Sequence, residues 1–295
     1  MLSEQAKQAI EFSRKYIKSG QAPQTPEIAL AARKGADEGN KYDLPEEVTL
    51  KAVDEGGVKG EFYLRADSPK AVLMFLHGGA YATGTVYSRR KVAIKLGQAI
   101  GSGIDVFAVD YTQYPEGRHP AAQEDIMRAY DYLRGLYDQV LVFGESAGAT
   151  LALTLTLQLK DEGKKLPERV SVFSPVINQL NTSASEYLRT ERDPMLVGAT
   201  APVPYFDEPA KIDPLISPIY GDFTGFPPLF INCGSEEVKY DSSAILNNLC
   251  EKAGVDVQWH VWQDLFHVFI LFDMPETDLA IKQIGEFFKA GVKFD

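Results

Sequence analysis

A serine, an acidic residue and a histidine occur in this chain in an order that nucleophilic catalysis can use. Gly144-Glu145-Ser146-Ala147-Gly148 fits G-x-S-x-G, in which a sharp strand-to-helix turn lifts a serine oxygen clear of a sheet. A serine hydroxyl is a poor nucleophile until an adjacent base takes its proton. Four histidines are available for that role. His260 lies inside the apolar run VQWHVW, His119 precedes Pro120 in a loop after YPEGR, and His77 sits in a glycine turn that it is suited to hold. His267, in DLFHVF, follows the last apolar run and sits among apolar residues, so elimination makes it the candidate base. Glu237 follows Gly234 by three residues and is the candidate acid by position, with Glu236 and Asp241 as close rivals and Asp264 as a distant one. The paired glycines of His77-Gly78-Gly79-Ala80-Tyr81 allow backbone N–H groups to approach a ligand closely, as an oxyanion hole requires.

These residues need elements to hold them. AVLMFL (71–76), IDVFAV (104–109), QVLVF (139–143), RVSVF (169–173), PLFIN (228–232) and VQWHVW (257–262) are apolar runs of strand length, most of them separated by helical stretches. Near-continuous apolar strands with intervening helices predict an α/β fold with a mostly parallel sheet covered on both faces. Ligands of such sheets bind beyond the carboxyl ends of the strands. His77, Ser146, Glu237 and His267 each come just after such a run. The segments Val48–Val53 and Gly60–Arg65, separated by DEGG, predict a hairpin, and residues from about 4 to 40 predict amphipathic helices broken at Gln21–Glu27. The stretch from about Asn181 to Pro214 interrupts the alternation and reads as an insertion that could roof the strand ends with the N-terminal helices.

Composition narrows the function. The chain has 295 residues, 45% hydrophobic and 24% charged, as in an ordinary globular protein able to bury a large core. A net charge of −11 without a basic block argues against nucleic acid or an anionic membrane as a partner. No apolar run is long enough to span a bilayer and the N-terminal stretch has no apolar signal core, so a cytoplasmic protein is expected. Cys233 and Cys250 have no metal-ligand spacing and read as small buried hydrophobes. Neither a metal nor an organic cofactor is implied. The acidic surplus predicts a preference for neutral small-molecule substrates over anionic ones.

With FLHGGAY, AVDYTQYPEGRHPAAQED, VFGESAGA, DPLISPIYGDFTGFPPLFINCGSEEVKYD and DLFHVF in this order, the chain resembles the hormone-sensitive-lipase-like branch of the α/β-hydrolase esterases from about Leu73 onward. The resemblance implies one α/β-hydrolase domain over 1–295, with an eight-stranded, mostly parallel sheet under a helical cap drawn from 1–45 and about 181–214. It also implies a serine carboxylesterase acting on short acyl esters through a covalent acyl-enzyme. Residue by residue, it puts the nucleophile on Ser146, the base on His267, the acid on Glu237 and the second acidic position on Asp241. The oxyanion hole falls on Gly78, Gly79, Ala80 and Ala147. Relatives of this branch often dimerise, which makes a homodimer an expectation of the same kind.

Four departures stand out. Ala80 replaces a usual third glycine, Glu145 replaces the commoner Asp in the elbow, the acid is Glu rather than Asp, and Tyr111-Thr112-Gln113-Tyr114-Pro115-Glu116 replaces Y-R-L-A-P-E. Alanine resists positive φ, so the loop at Ala80 is expected in a region alanine allows. Tyr81, Met195 and Phe266 are candidate pocket-lining residues. Two other readings share the scaffold: an amidase, peptidase or thioesterase with the same triad, and a small-molecule-binding homologue without catalysis. Loss of the base histidine would favour the binder, and His267 is present.

Overall fold

The computed structural model describes residues 1–17, 23–65, 71–196, 204–206 and 212–293. Eight strands form one sheet in the order β1-β2-β4-β3-β5-β6-β7-β8. They are β1 (Thr49–Glu55), β2 (Val58–Leu64), β3 (Ala71–Leu76), β4 (Ile104–Val109), β5 (Gln139–Glu145), β6 (Val170–Phe173), β7 (Leu229–Gly234) and β8 (Val257–Trp262). The β1–β2 and β2–β4 pairs are antiparallel, and all other pairs are parallel. The hairpin strands run two residues further than the sequence pattern suggests, because Glu55 pairs with Val58 across Gly56-Gly57. Both glycines have positive φ (61° and 78°), the conformation of a two-residue hairpin turn, so Asp54 and Glu55 stay in the ladder.

Side-chain alternation along the central strands divides the core in two. Val72, Met74 and Leu76 of β3 face the layer containing Ile126 of α4 (Ala121–Leu136), Leu151 of α5 (Ala147–Asp161) and Leu246 of α7 (Tyr240–Lys252). Leu73 and Phe75 face the opposite layer, with Ile94 of α3 (Val86–Ile100) and Ile284 of α8 (Pro275–Lys289). This two-sided burial explains why these strands read as unbroken apolar runs. Helix α5 is apolar nearly all round because it is enclosed by neighbours, and its buried threonines bond internally or to nearby groups; Thr154 Oγ1 donates to Gln123 Oε1 at 2.8 Å.

Among the described residues of 1–45, α1 (Glu4–Tyr16) is tied to α8 through Ser3, whose N–H and Oγ both donate to the Glu276 carboxylate at 2.8 and 2.7 Å. Helix α2 (Pro26–Gly39) lies against the loop after β3. Arg33 Nε donates to the Ala82 carbonyl at 2.8 Å, and its guanidinium also reaches the Tyr114 carbonyl and Glu116. In the 181–214 stretch, α6 (Ala184–Leu188) and the residues to 196, with 204–206 and 212 onward, are described; residues 197–203 and 207–211 lie outside the described part.

The cross-strand packing at the centre of the sheet sets a stability expectation. Phe143 of β5 stacks on Phe75 of β3 at 5.3 Å in the buried α3/α8 layer. Phe143→Ala is expected to lower the unfolding free energy by about 3–5 kcal/mol. Leu136→Ala, at a side chain 57% exposed, should change it by less than about 0.5 kcal/mol. Urea titration of the two variants checks the contrast.

Candidate active site

Parallel pairing delivers the carboxyl ends of β3, β5, β6, β7 and β8 to one side of the sheet, with Leu76 beside Gly144 and Gly234 beside Trp262. Ser146 occupies the turn between β5 and α5 at φ 53° and ψ −117°, a conformation costly for a residue with a Cβ. Its flanking glycines are required by contact rather than by φ. A Cβ on Gly144 would sit 2.1 Å from the Gly148 carbonyl oxygen, and one on Gly148 would sit 2.0 Å from that of Leu76. The Ser146 N–H donates to the Phe173 carbonyl at 2.9 Å, which pins the turn to the end of β6.

His267 lies in the loop after β8 and is almost wholly buried. Its Nε2 is 2.9 Å from Ser146 Oγ, and its Nδ1 is 3.2 Å from Glu237 Oε2. An ionised carboxylate only accepts, so Nδ1 carries the ring proton and Nε2 is left to accept from the serine hydroxyl. Glu237 is fully buried, and its other oxygen accepts from Ser174 Oγ and from the Gly234 N–H, both at 2.6 Å. These donors replace water around a buried charge, which would otherwise be costly. Ser174 also accepts from the Val268 N–H at 3.0 Å and so joins the acid to the histidine loop. The rival acids go elsewhere: Glu236 pairs with Arg192 at 3.4 Å, Asp241 accepts from the Ser185 N–H at 2.8 Å, and Asp264 is exposed.

The loop after β3 carries the candidate oxyanion donors. No acceptor among the described residues takes the N–H of Gly79, Ala80 or Ala147. Gly78 differs from expectation. Its N–H donates to Glu145 Oε1 at 2.6 Å and is committed to holding the loop against the elbow. The same Glu145 oxygen accepts from Arg89 Nε at 2.9 Å, while Oε2 is buried without a partner among the described residues. Ala80 also departs from expectation, since it is in the left-handed region at φ 52°, as is Tyr81 at φ 56°. Two features hold that unfavourable backbone in place. The Ala82 and Thr83 N–H groups both donate to the Gly79 carbonyl, at 2.9 and 2.8 Å. Tyr81 stacks on Tyr205 with ring centroids 4.9 Å apart, and Phe206 meets it edge-on at the same distance.

The remaining histidines and pocket candidates also have defined places. His77 is fully buried, stacks on Tyr111 at 4.4 Å and donates from Nδ1 to the Gly78 carbonyl at 2.8 Å. His260 stacks on Trp262 at 4.4 Å within β8, and His119 lies 5.7 Å from the Phe206 ring. Tyr81 is buried against Tyr205, and Met195 is half-buried. Phe266 is a core residue instead of a pocket wall; it is 1% exposed and packs edge-on against Phe272 at 5.2 Å. Cys233 is buried, which pushes its thiol up to about 12, and Cys250 is equally enclosed. Among the described residues, no group of three His, Cys, Asp or Glu side chains could hold a metal ion.

Two polar residues escape the sequence reading. Ser174 follows β6 directly, so the rule that points to the other strand ends would have found it. Asp193 is fully buried, and its carboxylate accepts from the Met195 and Val238 N–H groups, both at 3.0 Å. Burial pushes that carboxyl above its ordinary range. No local pattern around ERDPML singles it out.

Known proteins share this sequence pattern and this fold. A family described by the α/β hydrolase fold matches residues 73–271. An acetyl-hydrolase of Streptomyces hygroscopicus is 36% identical over 80% of this chain and 81% of its own. A solved esterase of the bacterial hormone-sensitive lipase family superposes with a TM-score of 0.88 at 27% identity, over 99% of this chain and 100% of that one. A solved protein soaked with p-nitrophenyl butyrate gives 0.86 at 27% identity, over 98% and 99%.

The His77 environment generates a pH expectation. Burial, aided by the Arg89 and Arg33 charges, pushes its imidazole from 6.5 down to about 3. Between those values the unfolded chain binds a proton that the folded chain refuses, so stability rises with pH across this window. The contribution is complete above pH 6.5 and is lost as pH falls toward 3. The unfolding free energies of wild type and His77→Gln should therefore converge as urea titrations move from pH 7 to pH 4.

Proposed function

Because this chain belongs to the α/β-hydrolase family, in its hormone-sensitive-lipase-like branch of esterases, we propose that it hydrolyses short-chain acyl esters through Ser146, His267 and Glu237 and a covalent acyl-enzyme. It is a carboxylic ester hydrolase. The observation that carries the proposal is the 2.9 Å approach of His267 Nε2 to Ser146 Oγ, with Glu237 behind the ring at 3.2 Å.

In this reading Ser146 Oγ attacks the ester carbonyl carbon while His267 Nε2 takes its proton. Glu237 holds the imidazole tautomer and stabilises the imidazolium as it forms. The carbonyl oxygen becomes an oxyanion and is received by the N–H groups of Gly79, Ala80 and Ala147. Loss of one such donor typically costs on the order of 10²–10³ in rate. The intermediate collapses as His267 protonates the leaving alcohol. A water, deprotonated by the same nitrogen, then attacks the acyl-enzyme and releases the acid and Ser146.

The preference for short acyl groups is supported by the aromatic filling beside the elbow. Tyr81 is buried and covered by the Tyr205 and Phe206 rings, so aromatic side chains already fill the space on this side of the elbow. The acetyl-hydrolase relative points the same way. We read α2 and the described part of 181–214 as a cap, on the strength of the Arg33 contacts to Ala82 and Tyr114 and the Tyr205 contact to Tyr81.

A fluorophosphonate, which needs an activated serine but no knowledge of substrate, tests the triad. Intact mass and peptide mapping should find one adduct, on Ser146, absent from Ser146→Ala and His267→Ala. Both variants should lose p-nitrophenyl acetate hydrolysis by on the order of 10⁴-fold or more. An unlabelled but folded wild type would defeat the proposal. In a p-nitrophenyl acyl series, kcat/KM should be highest at acetate to butyrate and fall steeply by decanoate. Matched neutral and carboxylate-bearing esters should differ in favour of the neutral one, since a net charge of −11 repels anionic substrates.

A further inference from the structure

The turn that carries Glu237 is held from outside by residues of a segment about 50 positions earlier in the chain. Val238, the next residue, has both of its backbone polar groups taken by that segment. Its N–H donates to Asp193 Oδ2 at 3.0 Å, and its carbonyl accepts from Ser185 Oγ at 2.7 Å. Ser185 Oγ in turn accepts from the Asp241 N–H at 3.1 Å, at the start of α7. The segment is fastened by a buried ion pair in which Lys239 Nζ lies 2.5 Å from Glu186 Oε1, with side chains only 6% and 4% exposed. Arg189 adds a hydrogen bond from Nη1 to the Ser235 carbonyl and stacks on Tyr240 at 4.0 Å.

These contacts have a specific mechanical consequence. The Glu237–Val238 peptide cannot rotate without breaking its bond to Asp193, and the Val238–Lys239 peptide cannot rotate without breaking its bond to Ser185. Glu237 reaches His267 at 3.2 Å, already at the long end of a hydrogen bond. A few tenths of an ångström at its backbone therefore separate a useful contact from a lost one. The Lys239–Glu186 pair gives this arrangement a single register, because displacement of α6 would leave two buried charges unpaired.

We propose that Asp193 and Ser185 are positioning residues of the reaction: they clamp the two peptides that flank Val238, Asp193 on the Glu237 side and Ser185 on the Lys239 side, and so set the aim of the Glu237 carboxylate at His267 Nδ1. The inference rests on the reading of Glu237 as the triad acid. Neither residue touches the reacting atoms, and both act through Glu237. Segment 183–193 is accordingly a fixed part of the catalytic frame and not a moving lid.

The test uses the full chain and p-nitrophenyl acetate with Asp193→Asn, Ser185→Ala, Glu237→Gln and the doubles that combine each of the first two with Glu237→Gln. The Asp193→Asn substitution would turn an amide N–H₂ toward one of two backbone donors and break one side of the clamp. Asp193→Asn should lower kcat about tenfold and Ser185→Ala about threefold, with KM changed less than about twofold, because no group that binds the ester is touched. In the Glu237→Gln background the same substitutions should lower kcat by less than about twofold, since no carboxylate remains to be aimed. Equal losses in both backgrounds, or losses that appear in KM, would overturn the proposal and reduce the clamp to a structural brace. If Asp193→Asn fails to fold, the Ser185→Ala pair supplies the same comparison. Unchanged kcat in Glu237→Gln would instead remove the triad-acid reading, and this inference with it. A large loss in Glu237→Gln with none in Asp193→Asn and Ser185→Ala would overturn the clamp alone.

Discussion

The first turn of α5 lies directly against the carboxyl ends of β3 and β5, with no space for a side-chain carbon at Gly144 or Gly148. That contact decides most of what surrounds it. It forces Ser146 into a positive-φ turn and presents its oxygen above the sheet. It also places the start of α5 next to the loop after β3, so N–H groups of Gly79, Ala80 and Ala147 that no acceptor among the described residues takes come from two separate segments. Glu145 seals the junction from below by accepting from both Gly78 and Arg89. The commonest elbow acid would be one methylene shorter. Here the longer side chain spans the distance to Gly78.

Burial of the acid is the second constraint. A fully desolvated carboxylate is stable only where donors surround it. Glu237 meets this with Ser174, Gly234 and His267, which come from the ends of β6, β7 and the loop after β8. Asp193 and the Lys239–Glu186 pair extend the polar region outward from Glu237 into segment 185–193. Burial pulls the Lys239 ammonium down while the Glu186 and Asp193 charges oppose that shift. Such a network tolerates little loss, since a half-satisfied buried charge is worse than an apolar replacement.

Strain is concentrated where the proposed chemistry lies. Ala80, Tyr81, Ser146, Ser174 and Val268 all have positive φ, and each belongs to one of the loops that meet around Ser146 and His267. Val268 is the most unfavourable of these, being β-branched in the left-handed region. Its N–H bond to Ser174 and the burial of its neighbours over-determine the loop. Backbone strain of this kind persists only where surrounding packing supports it, and the Tyr81–Tyr205–Phe206 cluster supplies that support on the opposite side.

The strand pattern, the strand-to-helix context of GESAG and the order Ser146, Glu237, His267 were legible in the residues themselves, because buried parallel strands are written as apolar runs and a tight turn is written in glycine. Elimination among four histidines singled out His267 as the candidate base, and the structure places its Nε2 2.9 Å from Ser146 Oγ. Which acid faces the imidazole could not be read locally. Glu236, Glu237 and Asp241 differ by a few positions, and only the fold of the turn after β7 shows that one points inward while the others bond to Arg192 and Ser185. The use of the Gly78 N–H by Glu145, the core burial of Phe266 and the hold of Asp193 on Val238 were likewise decided by tertiary structure alone. Each depends on which groups meet across 45 or more residues of chain, or on which face of a loop turns inward, and short-range sequence pattern carries no record of either.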